Sequence, residues 1–279
     1  MKRSARMGIA KETVGIVDRG LYQSAKGKQV NIKDAVSACL RETRLYSPED
    51  LEELRKTILA QAKESREMQI EVVNETTLSG IFRLASEGCG RIAVLNFASA
   101  KNPGGGFLNG SEAQEESLAR SSALHASQFK AWDFYEKHRA SPSLLYSDSM
   151  IASPGCPVIR DDEGQLLEEP RLVDFITSPA PNAGAAVDSR PEDLPLIPET
   201  FRRRSEYVLA LAAAMNCDSL VLGAWGCGVF RNDPAMVAGV FRDWLNDDVW
   251  RGRFKRVRFS VLDRSAEMET FKAFERAFA

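Results

Sequence analysis

Residues 91–118 read RIAVLNFASAKNPGGGFLNGSEAQEESL, and the fold turns on how this stretch is parsed. Residues 91–99 are a nearly continuous apolar run, the pattern of a strand buried on both faces. Asn102-Pro103-Gly104-Gly105-Gly106 then makes a turn that a ligand can approach closely. Three residues without side chains let backbone N–H groups point inward, which is the form of a phosphate cradle. From Gln114 the pattern is helical. Strand, glycine turn and helix in that order predict an α/β core.

Working outward, the alternation repeats. QIEVVNE (69–75) reads as a strand and 77–87 as a helix. Helical pattern runs from 114 to about 139. Three short strands follow, SDSMIAS (147–153), PVIRD (157–161) and RLVDFITS (171–178), with Asp161-Asp162-Glu163-Gly164 as a hairpin turn between the last two. Residues 179–198, rich in proline and small side chains, read as a long loop, of the kind that often carries function. A helix over 199–216 leads to a buried strand, DSLVLGAW (218–225), and to a second glycine loop, GCGVFRNDP (226–234). Asp233-Pro234 suits a cap and first helical position. KRVRFSVLD (255–263) is a further strand, and a helix from about 265 closes the chain. Strands alternating with helices predict an α/β layered core with a largely parallel centre. Before residue 67 the pattern is mostly helical. Ser47-Pro48-Glu49-Asp50-Leu51 is a helix start, and that helix is expected to run to about Lys63.

Composition narrows the class. The chain has 279 residues, 44% apolar and 27% charged, ordinary for a globular protein with a normal core. A net charge of −2 makes it no general trap for nucleic acid. No apolar run is long enough to cross a bilayer, and the basic N-terminus lacks the apolar segment of a secretory signal. Five scattered cysteines with no CxxC pair suit a reducing cytoplasm. With no HExxH and no Cys/His cluster, neither a zinc site nor a cofactor is expected. His125 and His138 are read as structural. The basic runs, Arg202-Arg203-Arg204 and the alternating residues from Arg251 to Arg258, are read as solvated faces or helix-end partners, ahead of tracks for a polyanion.

The first glycine loop fails two familiar tests. Gly105 and Gly110 have Walker spacing, but Ser111 stands where the lysine should be. Gly104 and Gly106 begin a dinucleotide fingerprint, but Asn109 takes the third glycine's place. The helix that follows opens with Glu115 and Glu116, which would repel an anion from a terminus that otherwise welcomes one. The pair must serve another part of the ligand. A sugar fits, because carboxylates accept hydrogen bonds from vicinal hydroxyls and a carboxylic acid can protonate a glycosidic oxygen. Helix neighbours point about 100° apart, so one glutamate should hold ribose while the other works on the bond.

Gly104-Gly105-Gly106, seven residues and then Gln114-Glu115-Glu116 resemble the signature of the poly(ADP-ribose) glycohydrolases. The run NFASAKNPGGGFLNGSEAQEESLARSSAL is similar to the shorter, bacterial-type branch. GAWGCGVFRNDP resembles that branch's diphosphate loop, and the order of elements from about residue 69 onward is similar too. The resemblance implies a macrodomain-like three-layer α/β/α fold with a mixed central sheet, residues 67–279, and an N-terminal helical accessory region, 1–66, packed on it. It implies Glu116 as the catalytic acid/base, Glu115 as the carboxylate that binds ribose hydroxyls, and Gln114 as the residue that orients the pair. Gly104, Gly105 and Gly106 would approach the distal ribose and diphosphate. Gly226, Cys227, Gly228 and Val229 would supply backbone donors to the diphosphate, and Phe230 would press the terminal ribose toward Glu116. Asn96 and Asn102 are weaker candidates for polar contacts. The implied activity is hydrolysis of ribose–ribose bonds without a cofactor, acting on poly(ADP-ribose) carried by modified proteins and releasing ADP-ribose. The implied setting is reversal of ADP-ribosylation in a cytoplasmic DNA damage response, with no membrane and no direct nucleic-acid specificity. The alternatives are a macrodomain that reads ADP-ribose without cleaving it, and a hydrolase of single ADP-ribose units on proteins.

Overall fold

A computed structural model describes residues 1–62 and 67–279. The chain opens with α1 (Arg3–Arg19), a hairpin of β1 (Leu21–Gln23) and β2 (Gln29–Asn31), α2 (Lys33–Glu42), β3 (Arg44–Tyr46) and α3 (Pro48–Ala60). Next come β4 (Gln69–Val73), α4 (Thr77–Ser86), β5 (Ile92–Phe97), α5 (Gln114–Ser121), α6 (Leu124–Gln128) and α7 (Trp132–Ala140). The remainder is β6 (Met150–Arg160), β7 (Leu166–Ser178), α8 (Ala183–Ser189), α9 (Ile197–Ala214), β8 (Ser219–Leu222), α10 (Pro234–Asn246), β9 (Arg256–Ser260) and α11 (Glu269–Phe278).

Seven strands form one mixed sheet in the order β3-β6-β7-β5-β8-β9-β4. From β7 to β4 all neighbours are parallel, while β6 and β3 are antiparallel additions. β5 sits at the centre and shows why it reads as a continuous apolar run. Ala93 and Leu95 face one core with Phe201, Leu209, Phe241 and Phe259, and Ile92 and Val94 face the other with Leu78, Leu118 and Phe175. Helices α3, α9, α10 and α11 cover the first face, and α1, α2, α4 and α5 the second. This is the expected three-layer arrangement. The loops after β5, β7 and β8, three adjacent strands, leave the sheet at one edge, where ligands collect in such folds.

Several elements differ from the reading of the sequence. The segment before residue 67 is not only helical, since β3 pairs with β6 as the sheet's edge, Leu45 opposite Ile151. Three residues are too few for a period to show. Its helix start is as expected: Ser47 and Asp50 form a reciprocal capping box and Pro48 is the first helical residue. The expected helix end near Lys63 and the boundary between 66 and 67 involve positions outside the described residues. The helix from 114 to 139 is three helices, broken at Ser122, which is extended (φ −150°, ψ 178°) and bridged to Val158 of β6. The two short strands of 147–161 are one strand, β6, with an irregularity between Ser153 and Cys156 that takes up Pro154 and Gly155 (φ +58°). Residues 179–198 hold α8 and a 3-10 turn (191–196) rather than a bare loop. The last helix starts at Glu269 because Asp263 accepts from the N–H groups of Thr270 (2.9 Å) and Phe271 (3.2 Å) at its beginning.

Candidate active site

The glycine turn after β5 is shaped by what stands over it. Gly104 and Gly105 have φ of +65° and +58°, and the Gly105 N–H donates to the Asn102 carbonyl at 3.0 Å. A Cβ on Gly105 would sit 2.4 Å from Glu116 Oε1 and 3.3 Å from Glu115 Oε2. Backbone angle and side-chain room thus both demand glycine, because the two carboxylates rest against the turn.

Gln114 docks the helix start on the sheet. Its Oε1 accepts from the Phe97 N–H at 2.9 Å, and its Nε2 donates to the Leu95 carbonyl at 2.8 Å and to Thr77 Oγ1 at 3.2 Å. This places the next two side chains in different surroundings. Glu115 is buried. Its Oε1 accepts from Asn96 Nδ2 (3.1 Å) and Gln128 Nε2 (2.8 Å), and its Oε2 from the Ser99 N–H (2.6 Å). Burial pushes its carboxyl up to about 7; the three donors pull the other way and nearby Glu116 adds to the rise. Glu116 is only partly buried, and its Oε1 accepts from the Gly106 N–H at 3.0 Å.

The spacer between turn and helix is braced by α1. Arg3 Nε donates to the Asn109 carbonyl (2.9 Å), and Arg6 Nε to that of Gly110 (2.8 Å). Arg6 also pairs with Glu112 at 2.6 Å, and Arg120 Nη1 donates to the Ser111 carbonyl at 2.7 Å.

The second glycine loop follows β8. Gly226 has φ +74°, and a Cβ there would meet that of Ala180 at 2.4 Å. Asn232, buried, ties the loop down: its Nδ2 donates to the carbonyls of Pro181 (2.8 Å) and Gly226 (3.0 Å). The Gly184 N–H donates to the Phe230 carbonyl at 2.9 Å, so the segment 178–184 walls this loop. Gly228 and Val229 are exposed at the tip. The half-buried Phe230 ring faces Tyr146, with centroids 6.2 Å apart.

Glu115, Glu116, Gln114, Gly104, Gly105, Gly106 and Asn96 therefore converge on one site. Asn96 is fully buried and donates to Glu115 and Thr177 rather than facing an open pocket. Asn102 has an exposed side chain and serves the turn through its carbonyl. Gly226, Cys227, Gly228, Val229 and Phe230 form the neighbouring cradle. Burial pushes the Cys227 thiol up to about 12, with Asp233 adding to the effect, which disfavours the thiolate. Burial pushes both histidines down to about 4. His138 Nδ1–H donates to the Phe134 carbonyl (2.8 Å) while Nε2 accepts from the Ser147 N–H (3.0 Å), and His125 packs between Phe107 and Phe129.

Sequence reasoning missed Gln128 and Ser99, which hold Glu115, and Asn232, which holds the second loop; nothing in their local pattern marks them. It also misread two arginines. Arg204 is no solvated residue. It is fully buried, bonded to Asp148 and to the carbonyls of Pro179 (2.6 Å) and Leu145 (2.9 Å). Arg258 is buried between Glu71 and Glu75. Among the described residues no three His, Cys, Asp or Glu side chains converge to hold a metal ion, and no helix is long and apolar enough to cross a membrane.

Residues 10–161 match a protein family described as the microbial-type PARG catalytic domain. The chain is 48% identical to the poly(ADP-ribose) glycohydrolase of Thermomonospora curvata. The crystal structure of that enzyme superposes with a TM-score of 0.94 over 99% of this chain and 100% of that one. The same enzyme bound to the inhibitor ADP-HPD matches at 47% identity and TM-score 0.91, covering 98% and 99%. The poly(ADP-ribose) glycohydrolase of Deinococcus radiodurans in complex with ADP-ribose matches at 46% identity and TM-score 0.82, covering 89% of this chain and 98% of that one. Among curated proteins no relative matches.

Proposed function

The chain belongs to the family of microbial-type poly(ADP-ribose) glycohydrolases, and from that premise we propose how its residues divide the work. It is a glycosidase with a macrodomain-like fold that hydrolyses ribose–ribose O-glycosidic bonds in poly(ADP-ribose) and releases ADP-ribose.

Glu116 is the general acid and base. Protonated, it gives its proton to the 2′-oxygen that leaves as the glycosidic C–O bond breaks. The departing sugar develops oxocarbenium character, which the substrate's own diphosphate, folded beneath it by the two glycine loops, stabilises. Water attacks the anomeric carbon and gives its proton to the Glu116 carboxylate, which restores the acid. Glu115 accepts hydrogen bonds from ribose hydroxyls and Gln114 fixes the orientation of both. The turn Gly104–Gly106 admits the distal ribose. Backbone N–H groups at Gly226, Cys227, Gly228 and Val229 hold the diphosphate, and Phe230 packs on the terminal ribose.

The observation that carries this division is the contrast within the pair. Glu115 is buried under three amide donors, whereas Glu116, next to it, is only partly buried, has a single donor, the Gly106 N–H, among the described residues and lies against the turn where substrate enters. A carboxyl that must exchange protons with substrate and water needs that access. The test is Glu116→Gln. Cleavage of poly(ADP-ribose) should fall by about 10²–10⁴ while ADP-ribose binding survives. Cleavage at the wild-type rate would assign the acid to another residue.

The region 1–66 is proposed as the accessory part, packed on a catalytic body of residues 67–279. Five free thiols support a reducing compartment, which we take as the cytoplasm. The natural substrate is proposed as polymer on modified proteins, cleared in a DNA damage response.

A further inference from the structure

Two of Glu115's three donors come from the strand that precedes it in the chain and the turn that follows that strand: Asn96 lies on β5 and Ser99 just beyond it. The third, Gln128, arrives from α6. In one continuous helix, residues 115 and 128 would lie about 20 Å apart along the axis, at ~1.5 Å per residue. No glutamine spans that distance, yet Gln128 Nε2 is 2.8 Å from Glu115 Oε1. The contact exists because the helix breaks. Ser122 is extended and bridged to Val158, the Ala123 N–H donates to the Pro157 carbonyl (3.1 Å), and Ser122 Oγ accepts from the Leu124 N–H (3.2 Å) where helix resumes. Ser127 then pins α6 to β6 through Ser153 Oγ at 2.8 Å.

Gln128 is fully buried, and its Oε1, like Oδ1 of Asn96, has no partner among the described residues. Two amides thus turn their N–H groups to one carboxylate oxygen and leave their own carbonyls unsatisfied. That orientation is favourable only where the charge it faces outweighs the loss.

We infer that Gln128, brought round by the break at Ser122, is a positioning residue that holds Glu115 in one rotamer and favours its ionised form against the cost of burial, so that it can accept ribose hydroxyls. The inference rests on the reading of Glu115 as the ribose-binding carboxylate. Of the titratable groups facing Glu115, Glu116 on its own helix opposes its charge, while Tyr135 on α7 is kept neutral by burial and by Glu115 itself. Its ionisation therefore depends on the three uncharged donors, working against burial that pushes the carboxyl up to about 7.

Two measurements test this. In the wild-type protein, the side-chain amide resonances of Gln128 should titrate with the Glu115 carboxyl, with a midpoint near 7. Resonances that stay flat from about pH 5 to about pH 9 overturn the inference. In Gln128→Met, which keeps length and removes the donor, the Glu115 midpoint should rise by about one pH unit. The acid limb of kcat/KM on poly(ADP-ribose) should move with it, lowering kcat/KM about fivefold at pH 7 while Tm stays within a few degrees. A limb that stays in place while activity falls marks a merely structural side chain and also overturns it. Wild-type cleavage of polymer does not depend on either result, so its failure would count against the assigned activity instead.

Discussion

Adjacent residues with the same side chain stand in different surroundings here because burial differs between them. Glu115 lies under the loop after β5, and its carboxyl is held near neutrality by burial. The sign of the consequence follows from linkage. Its ordinary value is 4.5 and its folded value about 7, so between these the folded protein binds the extra proton. Stability should fall as pH rises from about 4.5 to about 7 and be insensitive to this group outside that window, by at most about 3 kcal/mol. Urea melts of wild type and Glu115→Gln across that range should show the wild type losing ground to the variant with rising pH; parallel curves would mean that Glu115 does not titrate there. The glycines divide as sharply. Gly105→Ala meets both a left-handed backbone, costing about 1–2 kcal/mol, and a carboxylate oxygen 2.4 Å away. It should abolish cleavage by displacing Glu116. Gly228 has open space around it, so Gly228→Ala should leave Tm unchanged and weaken only ADP-ribose binding, as read by calorimetry. Unchanged binding there would remove Gly228 from the diphosphate cradle.

At the scale of elements, the site is two loops made rigid by other segments. α1 grips the spacer of the first loop through Arg3 and Arg6. The second loop is held by Asn232, whose amide reaches across to the segment after β7. Asn232→Ala should cost about 1–3 kcal/mol, the penalty for the Pro181 carbonyl left without this donor, while the Gly226 carbonyl keeps the backbone N–H of residue 232 at 3.1 Å. It should also weaken ADP-ribose binding more than it changes the polymer's cleavage rate at saturation. Thermal melts and titration together check this, and a stability loss with intact affinity would show that the loop keeps its shape unaided. The helical stretch after Gln114 belongs to the same scale. LARSSALHASQ contains neither Gly nor Pro, and its residues tolerate helix throughout. The break at Ser122 is made by β6, which supplies the Pro157 carbonyl and the bridge at Val158.

At the scale of the whole molecule, the N-terminal region is woven into the sheet and both cores. β3 covers the open edge of β6, Leu51 and Ile58 join one core, and Ile16 and Val17 join the other. A chain beginning at residue 67 would expose that edge and strip both faces, which invites aggregation. Expressed alone, it should lack a cooperative melt and fail to bind ADP-ribose. A sharp transition with binding retained would show that the α/β body stands without its N-terminal partner. Arg204 acts at this scale too, joining α9 to the chain at 145–148 and to Pro179 beside the site.

What the sequence determined by itself is local. The alternation of strand and helix over 69–97 and 218–263, the two glycine loops, the capped start at Ser47 and the Gln114-Glu115-Glu116 triplet each depend on residues within a few turns of one another, and these are found where the pattern put them. The site's acidic pair and the family it implied were legible for the same reason. Only tertiary structure decided that Gln128 meets Glu115, that Asn232 anchors the second loop, that Arg204 and Arg258 are buried, and that β3 joins the sheet. A period or a motif reports which face a residue turns to its own element's axis. Whether that face meets water or another segment is set by strands and helices distant in sequence, and so is the electrostatic environment of every charge upon it.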